Sequence, residues 1–328
     1  MNNIWKWIKR LVSGFSVMII AFTTLIYAAG VIAKSRLARE NPPPGKLIAM
    51  GEFYMHLYCI GEGSPAVILE AGLNDFYVAW SKVQPEIAKV TRVCSYDRAG
   101  LGWSEANPNP RKSEVMAEEL HTLLTNAGVE GPYILVGHSF GGIVMRVFAR
   151  QYPSETAGIV LVDSAHEDQG ARLPFIQSTV DKTINQFRSL SLLSRFGLIA
   201  LSPASIPNRG FSGDAYKQYQ AILATTNYFD CAIAETTAFY ADAPSVKAAG
   251  LGDLPLIVLS HGLPDKTSGI DQTQQIQFEQ EWSKMQKELV DLSSQGKQII
   301  AEQSSHYIQL DQPELVIEAI LELVKPGR

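Results

Sequence analysis

Cysteine is scarce in this chain: Cys59, Cys94 and Cys231 are the three among 328 residues, too few for a disulfide scaffold. Also missing are a His-Glu-x-x-His helix, a Cys-x-x-Cys pair and a Gly-x-x-x-x-Gly-Lys-Ser/Thr phosphate loop, so the sequence implies no metal and no organic cofactor. No internal repeat or low-complexity tract occurs. With 46% hydrophobic side chains the chain can bury a sizeable core, which excludes collagen-like and disordered classes. Charge is absent from Leu11 to Ala33, 23 residues between Arg10 and Lys34. Residues 1–40 carry six basic side chains against Glu40, a net +5, so the −5 of the whole chain leaves −10 on the rest. An acidic body does not suit a general nucleic-acid binder, because phosphates attract clustered Lys and Arg.

As a helix, the uncharged stretch would span roughly 34 Å, enough for a hydrocarbon core. A soluble core helix would carry a polar stripe, and a cleavable signal has a shorter apolar region. Residues 1–40 are therefore read as a basic segment with a membrane anchor spanning 11–33. Secretion after cleavage at the small residues Ala28-Ala29-Gly30 is the alternative. Three basic residues on each flank give no charge bias. The basic stretch ahead of the span favours a cytoplasmic N-terminus and an extracytoplasmic body. Trp5, Trp7 and Tyr27 sit near the ends of the span, where amphipathic rings favour the interface. Asn41-Pro-Pro-Pro-Gly45 cannot continue a helix and reads as a stiff spacer, 41–45.

From residue 46 on, short apolar β-branched runs alternate with amphipathic stretches, the pattern of a mostly parallel sheet with flanking helices. Strands are expected at 47–50, 53–59, 66–70, 92–96, 133–137, 158–163, 255–260 and 297–301, and helices at 79–89, 113–127, 140–151, 274–292 and 313–324. The rhythm fails over 164–250, which is read as an insertion into a core made of 46–163 and 251–328. Its many aromatics, among them Phe175, Phe187, Phe211, Tyr228 and Phe239, fit a helical subdomain with its own small core. They equally fit a lid over an apolar pocket.

Residues 133–142 read Tyr-Ile-Leu-Val-Gly-His-Ser-Phe-Gly-Gly, an apolar strand running through Gly137-His138-Ser139-Phe140-Gly141 into an amphipathic stretch. A strand that turns abruptly into a helix strains the residue at the turn, and glycines two positions to either side remove side chains that would clash. Ser139 is thereby marked as an exposed nucleophile. With this motif, and with Ser95-Tyr-Asp-Arg-Ala-Gly-Leu-Gly-Trp-Ser104 resembling the family's turn after its fourth strand, the chain resembles an α/β-hydrolase-fold serine hydrolase over nearly all of 46–326. The resemblance implies an eight-stranded α/β fold with a helical lid insertion, and assigns Asp97 and Arg98 to holding a loop together rather than to chemistry.

A serine hydroxyl needs a base. His306, after the last expected strand in Ser304-Ser-His-Tyr-Ile-Gln309, resembles the family's C-terminal histidine, with Ser305 where Gly is frequent. His56, His121 and His166 read as core or surface residues, and His138 and His261 as packing or loop contacts. For the orienting carboxylate the fold offers two places, and both are acidic here. Asp163 ends an apolar strand that would hold it rigidly, and Asp265 lies in a polar loop at the family's more usual position; Asp163 is preferred, with Asp265 as the alternative. The oxyanion donors implied are the amides of Phe140 and Leu73, although Ala71-Gly72 replaces the family's frequent His-Gly and blurs which amide serves. Cys59 and Cys94 lie on strands that are neighbours in the resembled fold, so they could meet, but two buried free thiols are expected.

Ser139 disfavours the dehalogenase and epoxide hydrolase chemistries of this fold, which need a carboxylate at that position. The expected activity is hydrolysis of a carboxylic ester or related acyl compound, with a small, lipophilic acyl substrate. Amidase, peptidase or carbon–carbon bond hydrolase action is a variant of it, and a non-catalytic ligand receptor on the same fold the alternative. No pattern sets an oligomeric state.

Overall fold

The computed structural model describes residues 2–225, 228–242, 250–265 and 269–324. Eight strands form one sheet: β1 (Lys46–Ala49), β2 (Tyr54–Ile60), β3 (Ala66–Glu70), β4 (Val93–Tyr96), β5 (Tyr133–His138), β6 (Thr156–Val162), β7 (Leu256–His261) and β8 (Gly296–Ala301). Their spatial order is β1-β2-β4-β3-β5-β6-β7-β8. β1 and β2 run antiparallel to their neighbours, and β3 to β8 run parallel. This is the eight-stranded α/β-hydrolase fold that the sequence led us to expect.

The long helices are α1 (Asn2–Glu40), α2 (Ser113–Asn126), α3 (Phe140–Gln151), α4 (Gln177–Arg195), α5 (Gly213–Thr225), α6 (Tyr228–Asp242), α7 (Gln272–Val290) and α8 (Pro313–Val324). Alternation along β5 shows how the sheet is buried. Leu135 packs on one face with Leu120 of α2, Val144 and Phe148 of α3 and Leu289 of α7. Ile134 and Val136 pack on the other with Trp80 and with Val316 and Ile320 of α8. The helix expected over 79–89 is instead two short pieces, Tyr77–Trp80 and Gln84–Ile87. Pro85 has no backbone N–H to continue an earlier turn, so it opens a new one. α7 begins at Asp271, whose side chain accepts from the Gln274 amide while Gln274 reaches back to the Asp271 amide.

Between β6 and β7 the chain forms α4, α5 and α6. Tyr219, Ile222, Tyr228 and Phe229 of this insertion share a core with Phe76, Tyr77 and Leu101 of the body. Thr226–Asn227 and 243–249, part of the segment expected as an insertion, lie outside the described residues. Among the described residues, one helix is long and apolar enough to cross a membrane by length and composition, over Ile4–Glu40. Leu11, Phe15, Ile20, Phe22 and Leu25 on it are exposed.

One expectation is corrected. Cys59 and Cys94 are not free thiols but form a disulfide, because the antiparallel register of β2 and β4 sets them directly opposite each other with Cα atoms 4.0 Å apart. Cys231 is the free cysteine. Under denaturing, non-reducing conditions thiol titration should find one reactive cysteine, rising to three after reduction. The bridge closes a loop of 35 residues, so loop entropy predicts that Cys59→Ser with Cys94→Ser lowers unfolding free energy by about 4 kcal/mol, measurable by chemical denaturation.

Candidate active site

β5 ends at His138 and α3 starts at Phe140, so Ser139 alone makes the turn, at φ 51° and ψ −122°. That is a left-handed, strained conformation for a residue with a side chain. The flanking glycines are required by backbone contacts. A Cβ on Gly137 would lie 2.6 Å from the Gly141 carbonyl, and one on Gly141 would lie 2.6 Å from the carbonyl oxygens of Glu70 and Ala71.

Asp163 follows β6 directly, at φ 43°, fully buried. Its carboxylate collects four donors. Oδ2 accepts from His306 Nδ1 at 2.6 Å and His261 Nδ1 at 2.8 Å, and Oδ1 from Trp282 Nε1 at 2.9 Å and the His261 amide at 3.2 Å. Burial opposes its charge, yet the hydrogen bonds from His261 and His306 hold it well below the usual carboxylate range. Asp265 has no such contact with His306. Its amide donates to Glu279 Oε1 at 3.0 Å and its carbonyl accepts from Gln275 Nε2 at 2.5 Å. Lys266 to Ser268 of the loop that follows it lie outside the described residues.

Ser139 and His306 line one cavity of about 240 Å³ together with Gly72, Leu73 and Phe140. Burial works against a charged His306, but the hydrogen bond it donates to Asp163, together with the charges of Asp163 and Asp265, outweighs burial, so the ring is raised above its ordinary value. His138 holds the His306 loop: its Nε2–H donates to the His306 carbonyl at 2.9 Å. Burial and then the nearby His306 push His138 down to about 3, which keeps it neutral. Leu73 is oriented through Arg98, whose Nη2 donates to the Gly72 carbonyl and Nη1 to the Ala71 carbonyl, both at 2.8 Å. A trans peptide points its N–H away from its C=O, so the Leu73 amide faces away from Arg98. As first residue of α3, Phe140 has no intrahelical acceptor for its amide.

Residues 65–199 match a family model described as alpha/beta hydrolase fold. An AB hydrolase superfamily protein of Gibberella zeae is 28% identical over 287 residues, covering 80% of this chain and 86% of its own. A thermophilic esterase from Thermogutta terrifontis aligns in structure with a TM-score of 0.57 at 20% identity, over 85% of this chain and 98% of that one. The epoxide hydrolase CorEH aligns with a TM-score of 0.61 at 18% identity, over 86% and 98%. The chain has the α/β-hydrolase fold.

The residues of this α/β-hydrolase fold that sequence reasoning missed are those around Asp163. His261, read as a loop contact, places Nδ1 on Asp163 and Nε2 on Glu279 Oε2, each at 2.8 Å. Two carboxylate acceptors require two donors, so the ring is an imidazolium. Burial pulls its pKa down, but the hydrogen bonds and charges of Asp163 and Glu279 push it up to about 10. Glu279 and Trp282 are three residues apart on α7, a spacing that puts both on one face. Because the folded ring is held above its unfolded value, its contribution to stability is complete below about pH 6.5 and is lost as pH rises through about 10. Denaturation midpoints should therefore fall across that window. His261→Gln should flatten the fall, and ¹⁵N NMR should show both ring nitrogens protonated at pH 8.

Proposed function

We propose that this α/β hydrolase cleaves carboxylic esters or related acyl compounds by way of an acyl-enzyme on Ser139. The observation that carries the reading is the 2.6 Å bond from His306 to the buried Asp163, with His306 and the strained Ser139 on one cavity. With Nδ1 committed to Asp163, His306 has Nε2 to take the Ser139 proton as the hydroxyl attacks the carbonyl. The amides of Phe140 and Leu73 receive the developing oxyanion. His306 then returns the proton to the leaving alcohol, and water releases the acid by the reverse route. Asp163 fixes the imidazole tautomer and stabilises the imidazolium; the contacts of Asp265 favour a loop-holding role for it instead. An epoxide hydrolase mechanism is disfavoured, since Ser139 stands where that chemistry requires a carboxylate.

The insertion over 164–250 serves in this reading as the lid, for its Ile176, Val180 and Phe239 line the cavity and Phe239 packs 5.3 Å from Phe140. Such a lining suits a small, uncharged, lipophilic acyl substrate. α1 is assigned as the membrane anchor, with the body extracytoplasmic, a side that the Cys59–Cys94 disulfide favours because such bonds persist in oxidising compartments.

A fluorophosphonate should label Ser139, and the protein should cleave short-chain nitrophenyl esters. Ser139→Ala should abolish both, Asp163→Asn should lower kcat about 10⁴-fold, and Asp265→Asn should change it less than tenfold. Absence of labelling and turnover in the intact protein would leave a ligand receptor on the same fold. Equal, slight effects of the two Asp variants would remove the assignment of the acid.

A further inference from the structure

Gly30 of α1 is buried against the turn that follows α4. A Cβ at Gly30 would lie 2.5 Å from the Phe196 carbonyl oxygen and 2.8 Å from Gly197 Cα, and a Cβ at Gly197 would lie 2.5 Å from Gly30 Cα. The two backbones touch, and the Tyr27 ring meets Phe196 edge-on at 6.5 Å. Gly30 lies inside the uncharged stretch, three residues from its end at Ala33. At a rise of about 1.5 Å per residue, the insertion meets the anchor about 5 Å within the apolar zone. Around this contact Leu192, Phe196 and Leu201 are exposed by 57%, 50% and 45%. The apolar surface of the span thus continues onto the insertion.

Leu193 belongs to the same exposed corner and also lines a cavity of about 480 Å³ within the insertion. Phe187, Leu190, Leu198, Ile199 and Phe229 make its walls. Arg209 lies at its other end and donates to Asp75 Oδ1 and Tyr307 Oη, both at 3.2 Å. Asp75 and Tyr307 in turn line the cavity that holds Ser139. Arg209 therefore stands between the two cavities, one mostly apolar and bordered by the exposed Leu193, the other lined by Ser139 and His306.

We infer that the cavity inside the insertion takes an acyl chain of a bilayer lipid, entering beside Gly30 at Leu193 and running towards Arg209. Mostly apolar walls, with Arg209 the one charged residue among those that line it, suit a hydrocarbon tail. Binding of the chain does not depend on the hydrolase reading; its use as substrate rests on that reading and requires the Arg209 partition to open.

The test uses full-length Ser139→Ala protein in phosphatidylcholine vesicles containing a phosphatidylcholine with a diazirine-bearing acyl chain, so that labelling needs no turnover. Mapped crosslinks should include peptides with Phe187, Leu190 or Ile199. Ile199→Trp, which fills the cavity, should reduce them about tenfold, and in the Ser139 protein should lower the ratio of long-chain to short-chain ester turnover by a similar factor. Leu193→Arg, at the mouth, should do the same and covers the case in which the core variant does not fold. Crosslinks confined to residues 11–33, or unchanged in both variants, would overturn the inference. Crosslinking in the insertion without ester turnover in the Ser139 protein would overturn the hydrolase reading alone.

Discussion

The guanidinium of Arg98 is the tie on which the site depends. It is fully enclosed, with Nη1 on Glu70 at 2.5 Å and Nε and Nη2 on Glu235 at 2.6 and 2.8 Å, besides the carbonyls of residues 71 and 72. Glu70 ends β3, and Glu235 lies on α6 of the insertion, so one side chain joins the sheet, the loop over Ser139 and the insertion. Glu235 also accepts from the Asn74 amide at 3.2 Å. Two carboxylates on one cation leave surplus negative charge. Burial pushes Glu70 up to about 7, against the pull of Arg98 and with the repulsion of Glu235, and the Tyr96 hydroxyl donates to it. Stripping the cation would leave two buried carboxylates without their counter-charge, which costs more than the pair ever contributes. Arg98 touches no reacting atom, but the direction of the Leu73 amide follows from it.

A second shared group sets the electrostatics on the opposite side of the cavity. The His261 imidazolium and His306 divide one oxygen of Asp163 between them. The His261 imidazolium lowers the proton affinity that Asp163 gives its other histidine, so it moderates the rise of His306 while Asp163 keeps the His306 ring oriented. Glu279 completes the arrangement by holding the far nitrogen of His261.

The strands and the strained turn at Ser139 were legible because short-range rules determine them: β-branched runs bounded by turns, and glycines at the two positions where backbone contacts admit no Cβ. Asp163 was legible for a related reason, as the polar residue closing a wholly apolar strand. What escaped were partners brought in from far along the chain. Glu235 and Trp282 meet Arg98 and Asp163 across separations of 137 and 119 residues, and nothing local distinguishes them from other residues of an amphipathic helix. The disulfide was missed for the same reason, since it depends on the register of β2 against β4 and not on cysteine spacing.

The spacer read as a stiff tether is in fact held at both ends. The Pro44 carbonyl accepts from His56 Nε2 at 2.5 Å, and the Pro42 carbonyl from Gln218 Nε2 at 3.0 Å. His56 Nδ1 faces Asp97 Oδ2 at 2.8 Å, so both its nitrogens meet acceptors and the buried ring is charged; burial alone would lower its pKa, and Asp97 raises it. Asp97 also receives the amides of Tyr77 at 2.8 Å and Trp103 at 2.9 Å. The loop-holding role that the sequence suggested for Asp97 therefore extends to the junction with α1. Gln218 belongs to α5, so the same junction grips the insertion. A proline segment fastened on both sides does not act as a swivel. Any motion that opens the insertion must either carry α1 with it or break the Gly30–Gly197 contact. The position of α1 and access to the cavity are thus coupled through one short stretch of backbone.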